Sequence, residues 1–336
     1  MKHLGKTLPF RGPNDEILPG SIAEIKYLRL GGVDQWVMIR GESVSNPPLI
    51  LLHGGPGFTE MRLFRHFNAP LEKHFTVVNW DQRGAGKSFD RKIRKSSMTV
   101  EQFITDLDEL VDTVRKRLGA QKVTIFGHSW GSALGVLYAA RFPDKVAAYA
   151  GSGQIGDWPA GELSSYTFVL AELNRRNNRK AVEELRAIGA PPHTAEKLWV
   201  QRTWLDHVAG HPGGMSTWEF GRILLGGPES SIFDLPNLQR GFRFSLDAMW
   251  TEVSALNLNQ AAHSLRMPVF FLLGRRDHQV PADSSAAYFN LLTAPSKTLI
   301  WFEESGHEPF VDEPVKFNAA MAELVWPVSV SCGPQC

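Results

Sequence analysis

The stretch of residues 122–140, KVTIFGHSWGSALGVLYAA, limits what this chain can fold into more than any other. Residues 123–126 form a β-branched and aromatic run bounded by glycine, which predicts a short buried strand. Residues 132–141 are small and apolar at helical spacing, which predicts a helix. Between them, Gly127-His128-Ser129-Trp130-Gly131 has the G-x-S-x-G spacing of a nucleophile elbow. A serine lifted onto a sharp turn needs small residues two positions before and after it, because strand and helix approach closely there. Such a turn holds Ser129 in a strained backbone conformation with its hydroxyl exposed at the helix N-terminus. A chance G-x-S-x-G is the competing explanation, and the flanking strand and helix patterns weigh against it.

The rest of the chain alternates in the same way. Strand patterns fall at 22–30 and 36–39, joined as a hairpin by Gly31-Gly32-Val33-Asp34, then at 48–52, 75–80, 146–150, 267–273 and 298–302. Helical patterns fall at 61–71, 100–118, 282–292 and 314–325; the second carries the apolar stripe Phe103, Ile104, Leu107, Leu110, Val111, Val114 and Leu118, with Thr99 as N-cap and Gly119 as its end. This order predicts an α/β fold with a mostly parallel sheet and helices on both faces. From residue 156 to 263 the alternation stops and helical patterns take over at 166–174, 180–188 and 195–208, the expectation being a helical cap inserted after the sixth strand. The core domain is then 1–155 with 264–336, and the cap domain 156–263. Proline and glycine make 1–20 an extended lead-in, and 327–336 reads as a flexible tail from just after Trp326.

Composition excludes several classes. With 36 basic and 35 acidic residues the formal charge is +1, so no nucleic-acid surface is expected. No stretch is apolar enough to suggest a signal peptide or a membrane span, and the expectation is a cytoplasmic protein with no membrane partner; an oligomer is compatible with the sequence. The two cysteines, Cys332 and Cys336, both lie in the last five residues, so neither a core disulfide nor a thiolate metal site is expected. There is no H-E-x-x-H and no phosphate-cradling glycine loop, so neither a metal nor a cofactor is expected.

A serine alkoxide is inaccessible at neutral pH without a base, and that base needs an acceptor to fix its tautomer. In chains with this elbow the partners follow in the order Ser, Asp, His, on loops after later strands. Asp277 follows the strand at 267–273 and His307 follows the last strand, in Gly306-His307-Glu308-Pro309. Asp157, after the strand at 146–150, competes for the acid. His53 is expected to prop its glycine loop, and His128 to point away from the site. Two donors must hold the oxyanion of a tetrahedral intermediate. The Trp130 amide and an amide of His53-Gly54-Gly55-Pro56-Gly57, most plausibly that of Gly55, are the candidates.

Four segments now carry a resemblance: His53-Gly54-Gly55-Pro56-Gly57, Asp81-Gln82-Arg83-Gly84-Ala85-Gly86-Lys87-Ser88, Ser129-Trp130-Gly131-Ser132, and Gly274-Arg275-Arg276-Asp277 with Gly306-His307. On these the chain looks like an α/β-hydrolase and resembles the proline iminopeptidase family of serine peptidases. The resemblance implies an acyl-enzyme mechanism without a cofactor, a helical cap between the sixth and seventh strands, and cap glutamates that bind the free amine of a short-peptide or small-molecule substrate. Trp218-Glu219 resembles one such site and Glu252 is a looser match; a solvated glutamate is the alternative for both. The chain departs from the family at His128, where members usually have glycine. Trp204, Trp218, Phe220, Phe242, Phe244 and Trp250 either line an apolar acyl pocket or fill the interior of the cap. The reading is thus a serine hydrolase of small amides or esters, with a carboxylesterase and a non-turnover ligand-binding protein as the alternatives.

Overall fold

The computed structural model describes residues 4–330 apart from residue 211. One sheet of eight strands runs through it: β1 (Ile22–Leu30), β2 (Val33–Gly41), β3 (Pro48–Leu52), β4 (Thr76–Trp80), β5 (Val123–His128), β6 (Val146–Ser152), β7 (Val269–Gly274) and β8 (Lys297–Phe302). Their spatial order is β1-β2-β4-β3-β5-β6-β7-β8. β1 and β2 form an antiparallel hairpin, β2 pairs antiparallel with β4, and every later pairing is parallel. The all-buried sequences of β3, β4, β5 and β7 follow from that topology, since a central parallel strand is covered on both faces.

The helices are α1 (Met61–Phe67), α2 (Val100–Leu118), α3 (Trp130–Arg141), α4 (Trp158–Arg175), α5 (Arg179–Ile188), α6 (Ala195–Ala209), α7 (Thr217–Leu225), α8 (Leu235–Val253), α9 (Leu258–Ala261), α10 (Ala282–Leu291), α11 (Pro309–Asp312), α12 (Pro314–Ala320) and α13 (Trp326–Val330). α2 shows why the sequence reads cleanly here. The Thr99 side chain accepts the Gln102 N–H at 3.2 Å, Gly119 ends the helix at φ +65°, and the apolar stripe between them is buried, at about 1.5–3 kcal/mol for each large side chain. α4 to α9 all lie between β6 and β7, where the strand pattern lapsed. No described helix is long and apolar enough to cross a membrane.

Two terminal segments are more ordered than proline and glycine content suggested. The lead-in lies along β2: the Leu4 carbonyl accepts the Trp36 indole N–H at 2.8 Å, the Leu8 carbonyl accepts Arg40 Nη1 at 2.6 Å, and the Arg40 guanidinium sits over the Phe10 ring. The chain from Trp326 to Val330, where a flexible tail was expected from residue 327 on, is helical, because a π-turn over Met321–Val325 carries α12 on into α13. Ser329 in α13 is buried and its hydroxyl bonds that of Thr124 in β5 at 2.6 Å. Cys332 and Cys336 lie outside the described residues.

The loop after β4 supplies interior charge. Arg83 grips Asp106 of α2 with Nε and Nη2 at 2.8 and 2.9 Å, both bonds buried, and gives Nη2 to the Gly31 carbonyl at 2.8 Å. Removing one member of such a pair strands the other away from water. Arg83→Leu is expected to lower unfolding free energy by about 3–5 kcal/mol in urea titration, whereas Arg29→Leu, from the exposed pair with Asp34, changes it by less than about 1 kcal/mol.

Candidate active site

The elbow takes the shape that its glycines allow. A Cβ on Gly131 would stand 2.0 Å from the Leu52 carbonyl oxygen of β3, and one on Gly127 2.4 Å from the Gly131 carbonyl oxygen. Ser129, between them, has φ +53° and ψ −122°, a conformation non-glycine residues adopt at a cost of about 1–3 kcal/mol. Its amide donates to the Ser152 carbonyl at the end of β6 and its carbonyl accepts the Ser132 N–H and hydroxyl, so the turn is held from both sides.

Asp277 and His307 meet across the ends of β7 and β8. His307 Nδ1 lies 2.8 Å from Asp277 Oδ2, while Asp277 Oδ1 accepts the backbone N–H groups of Gln279 and Val280, both at 2.9 Å. Asp277 is 4 % exposed, Ser129 7 % and His307 8 %, and His307 Nε2 is buried without a hydrogen-bond partner. With Asp277 accepting from Nδ1, Nε2 is the ring's lone-pair site. Asp157, the competing acid, instead caps α4: it accepts the Ala160 N–H at 3.0 Å and Asn257 Nδ2 at 2.8 Å.

The glycine loop after β3 is propped as the sequence suggests. His53 Nδ1 donates to the Gly54 carbonyl at 2.9 Å, and Nε2 accepts the Gln82 N–H at 3.1 Å; burial holds its pKa below the usual histidine value, in keeping with a neutral ring. The Gln82 side chain donates to the His53 carbonyl and accepts the Trp130 indole N–H, joining this loop to the elbow. The Gly54 amide donates to Glu60 Oε1 at 3.0 Å, which leaves Gly55 as the next amide along the loop. Trp130 opens α3, where a first-turn amide has no acceptor within the helix.

His128 departs from expectation, because its ring turns into the site. It lies 4.5 Å from the His307 ring, with Nδ1 2.7 Å from Glu60 Oε1 and Nε2 2.9 Å from the His307 carbonyl. Burial would lower its pKa, but the charge and hydrogen bond of Glu60, with Glu308 and the His307 carbonyl, outweigh burial and raise it to about 9. Burial raises the neighbouring Glu308 carboxyl to about 7 against the pull of His307 and His128. These three residues bring ligand-type atoms within 4.8 Å of one another. Both nitrogens of His128 are engaged with acceptors, so the group is arranged as an ion-pair network rather than as lone pairs converging on a metal.

Ser129, Asp277 and His307 open on a cavity of about 1000 Å³. Its apolar wall includes Phe58, Trp158, Trp199, Phe242, Leu246 and Trp250, and Phe220 also borders it. Of the six aromatics named from sequence, Trp204, Trp218 and Phe244 are not among the lining residues. Neither are Glu219 and Glu252, so the amine-binding assignment for these two is corrected. Glu219 is the N3 residue of the α7 capping box, bonded to the Ser216 N–H and hydroxyl at 2.9 and 2.6 Å, and Trp218 beside it is 71 % exposed. Glu252 accepts the Val100 N–H at the start of α2. The carboxylates that do line the cavity include Glu60, Glu162 and Glu308, none of which the sequence singled out. Glu162 accepts the Trp158 indole N–H and pairs with Arg202.

The His128 pKa has a consequence for stability. Raised from about 6.5 in the unfolded chain, it adds stability that is complete below about pH 6.5 and is lost as pH rises through about 9. The stability gap between wild type and His128→Gln, measured by urea unfolding, is expected to shrink by about 3 kcal/mol between pH 6 and pH 10. A gap that is constant across that range contradicts a charged His128.

Known proteins share the fold of this chain. The α/β-hydrolase fold family matches residues 47–179. A probable aminopeptidase of Bacillus subtilis (strain 168) is 33% identical over 304 residues, covering 88% of this chain and 94% of the relative. A proline iminopeptidase of Heyndrickxia coagulans is 26% identical over 295 residues, covering 84% and 92%. Among solved structures, the proline iminopeptidase-related protein of Thermus thermophilus shares the fold with a TM-score of 0.66 at 20% identity, covering 93% of this chain and 99% of that one. This chain belongs to the α/β-hydrolase family, and within that family it resembles the proline iminopeptidases.

Proposed function

We propose that the chain is a serine hydrolase that cleaves small amide or ester bonds through an acyl-enzyme, with residues 156–263 as a cap over the site. The observation that carries this reading is His307, oriented through Nδ1 by Asp277, with a buried and unpartnered Nε2 in the cavity that Ser129 also lines. Ser129 attacks the substrate carbonyl carbon as its hydroxyl proton passes to His307 Nε2, and the amides of Gly55 and Trp130 hold the resulting oxyanion. The proton then goes from Nε2 to the departing amine or alcohol. A water, deprotonated by the same nitrogen, attacks the acyl-serine, and that proton passes from Nε2 to the Ser129 oxygen as its bond to the acyl carbon breaks and the acid leaves. General-base help of this kind contributes about 10²–10⁴-fold, and each oxyanion donor about 10²–10³-fold.

The finer reading is an aminopeptidase, with Glu308 as its proposed amine ligand. A substrate α-ammonium is two bonds from the scissile carbon, so its counter-charge must stand close to the nucleophile and base. Glu308 meets that condition: it follows His307, lines the cavity, and has a carboxylate oxygen within 4.8 Å of a His307 ring nitrogen. An arriving ammonium would favour its ionised form. The aromatic wall of the cavity supports carboxylesterase action on apolar acyl groups as the second reading. Glu308→Gln is expected to raise KM for proline arylamide about 10- to 100-fold, the worth of a hydrogen bond between charged groups, and to change kcat/KM for a short acyl nitrophenyl ester less than about threefold. An arylamide KM that does not change removes Glu308 as the amine ligand, and ester turnover without arylamide turnover selects the esterase.

A further inference from the structure

The second position of the G-x-S-x-G pentapeptide is filled here by a side chain only 2 % exposed that touches both other loops of the site. His128 Nδ1 reaches Glu60 Oε1 at 2.7 Å, and that same oxygen accepts the Gly54 N–H at 3.0 Å. His128 Nε2 reaches the backbone carbonyl of His307 at 2.9 Å. A carboxylate and a carbonyl are both acceptors, so both ring nitrogens donate and the ring carries two protons. The Phe310 ring packs against it in a T-shaped arrangement, with 5.1 Å between centroids. One imidazolium therefore spans three chain segments: the loop after β3 with its oxyanion candidate Gly55, the elbow itself, and the loop after β8 that holds the general base.

We propose that His128 is a positioning residue, locking the glycine loop and the His307 loop onto the nucleophile elbow through one doubly donating ring. The proposal rests on Ser129 and His307 acting as nucleophile and base. His128 acts through the loops it holds: it fixes the distance between the group that accepts the proton and the amides that receive the negative charge. A misplacement of about 1 Å in such a constellation costs on the order of 10²-fold in rate. The bond to a main-chain carbonyl matters because it holds the His307 backbone, complementing the side-chain bond to Asp277.

The test is the second-order rate constant for labelling by a fluorophosphonate, with kcat and KM on a short acyl nitrophenyl ester measured alongside. His128→Ala strands the buried Glu60 carboxylate, so the deciding variant is His128→Ala with Glu60→Gln, which removes that charge and leaves an acceptor for the Gly54 N–H. The expected result is a rate constant and kcat about 10- to 100-fold below wild type, with KM within about threefold and the labelling amplitude retained. Partial unfolding would instead lower the amplitude and leave the rate constant of the native fraction unchanged, and that outcome counts against positioning. A variant that labels within about twofold of the wild-type rate overturns the proposal. Wild-type protein that is not labelled, or is labelled equally after Ser129→Ala, overturns the serine-hydrolase reading instead, so the two failures are distinguishable.

Discussion

The approach of α3 to the ends of β3 and β5 is the constraint on which the site depends. With the Leu52 carbonyl oxygen 2.0 Å from where a Gly131 Cβ would be, no other residue fits without moving a central strand. The chain can enter the helix only by turning sharply at Ser129, and the positive φ there follows from this closeness. The cost of that conformation is offset by parallel pairing of β5 with β3 and β6 and by the fully buried side chains of α3, among them Trp130, Leu134, Val136 and Tyr138. Strain at one residue is thus sustained by packing in its neighbours. Ser129 gains its place on the cavity wall as a consequence of backbone geometry.

Charge inside the molecule serves that geometry in two ways. At the centre, Glu60 and His128 join the loops around Ser129. Further out, ion pairs fasten the segment between α7 and α8 to the core. Glu229 takes Arg62 of α1 at 2.6 Å, and Asp234 takes Lys87 at 2.6 Å. The run Asp81-Gln82-Arg83-Gly84-Ala85-Gly86-Lys87-Ser88 spends its charged side chains inward: Asp81 on the Lys87 amide, Arg83 on Asp106, Lys87 on Asp234. Its contribution to the site is Gln82, which ties His53 to Trp130.

Much of this was legible from sequence, for identifiable reasons. Strands buried on both faces are uniformly apolar, α2 carries its own caps, and the elbow pentapeptide is governed by local sterics. Ser129, Asp277 and His307 border one cavity because parallel strands deliver their following loops to one edge of the sheet. Misplaced residues were those whose partners are distant. Glu252 accepts an amide 152 positions away, and His128 meets a carboxylate 68 positions away, separations over which no periodicity carries information. Glu219 is the instructive exception. It follows Ser216 by three residues at the start of α7, the spacing of a capping box, so its structural role was written locally and was outweighed by the family resemblance. The tail beyond Trp326 read as loose because Pro327 suggested a break, whereas the helical run continues through it by way of the π-turn over Met321–Val325.

The most direct measurement is peptide mass spectrometry of protein treated with a fluorophosphonate, comparing wild type, Ser129→Ala and His307→Gln. If Ser129 is a nucleophile activated by His307, one adduct forms on the peptide containing Ser129, vanishes in Ser129→Ala, and forms at least 100-fold more slowly in His307→Gln. Folded wild-type protein with no adduct at Ser129, or an adduct whose rate ignores His307, would contradict the account and favour a protein that binds its ligand without turning it over.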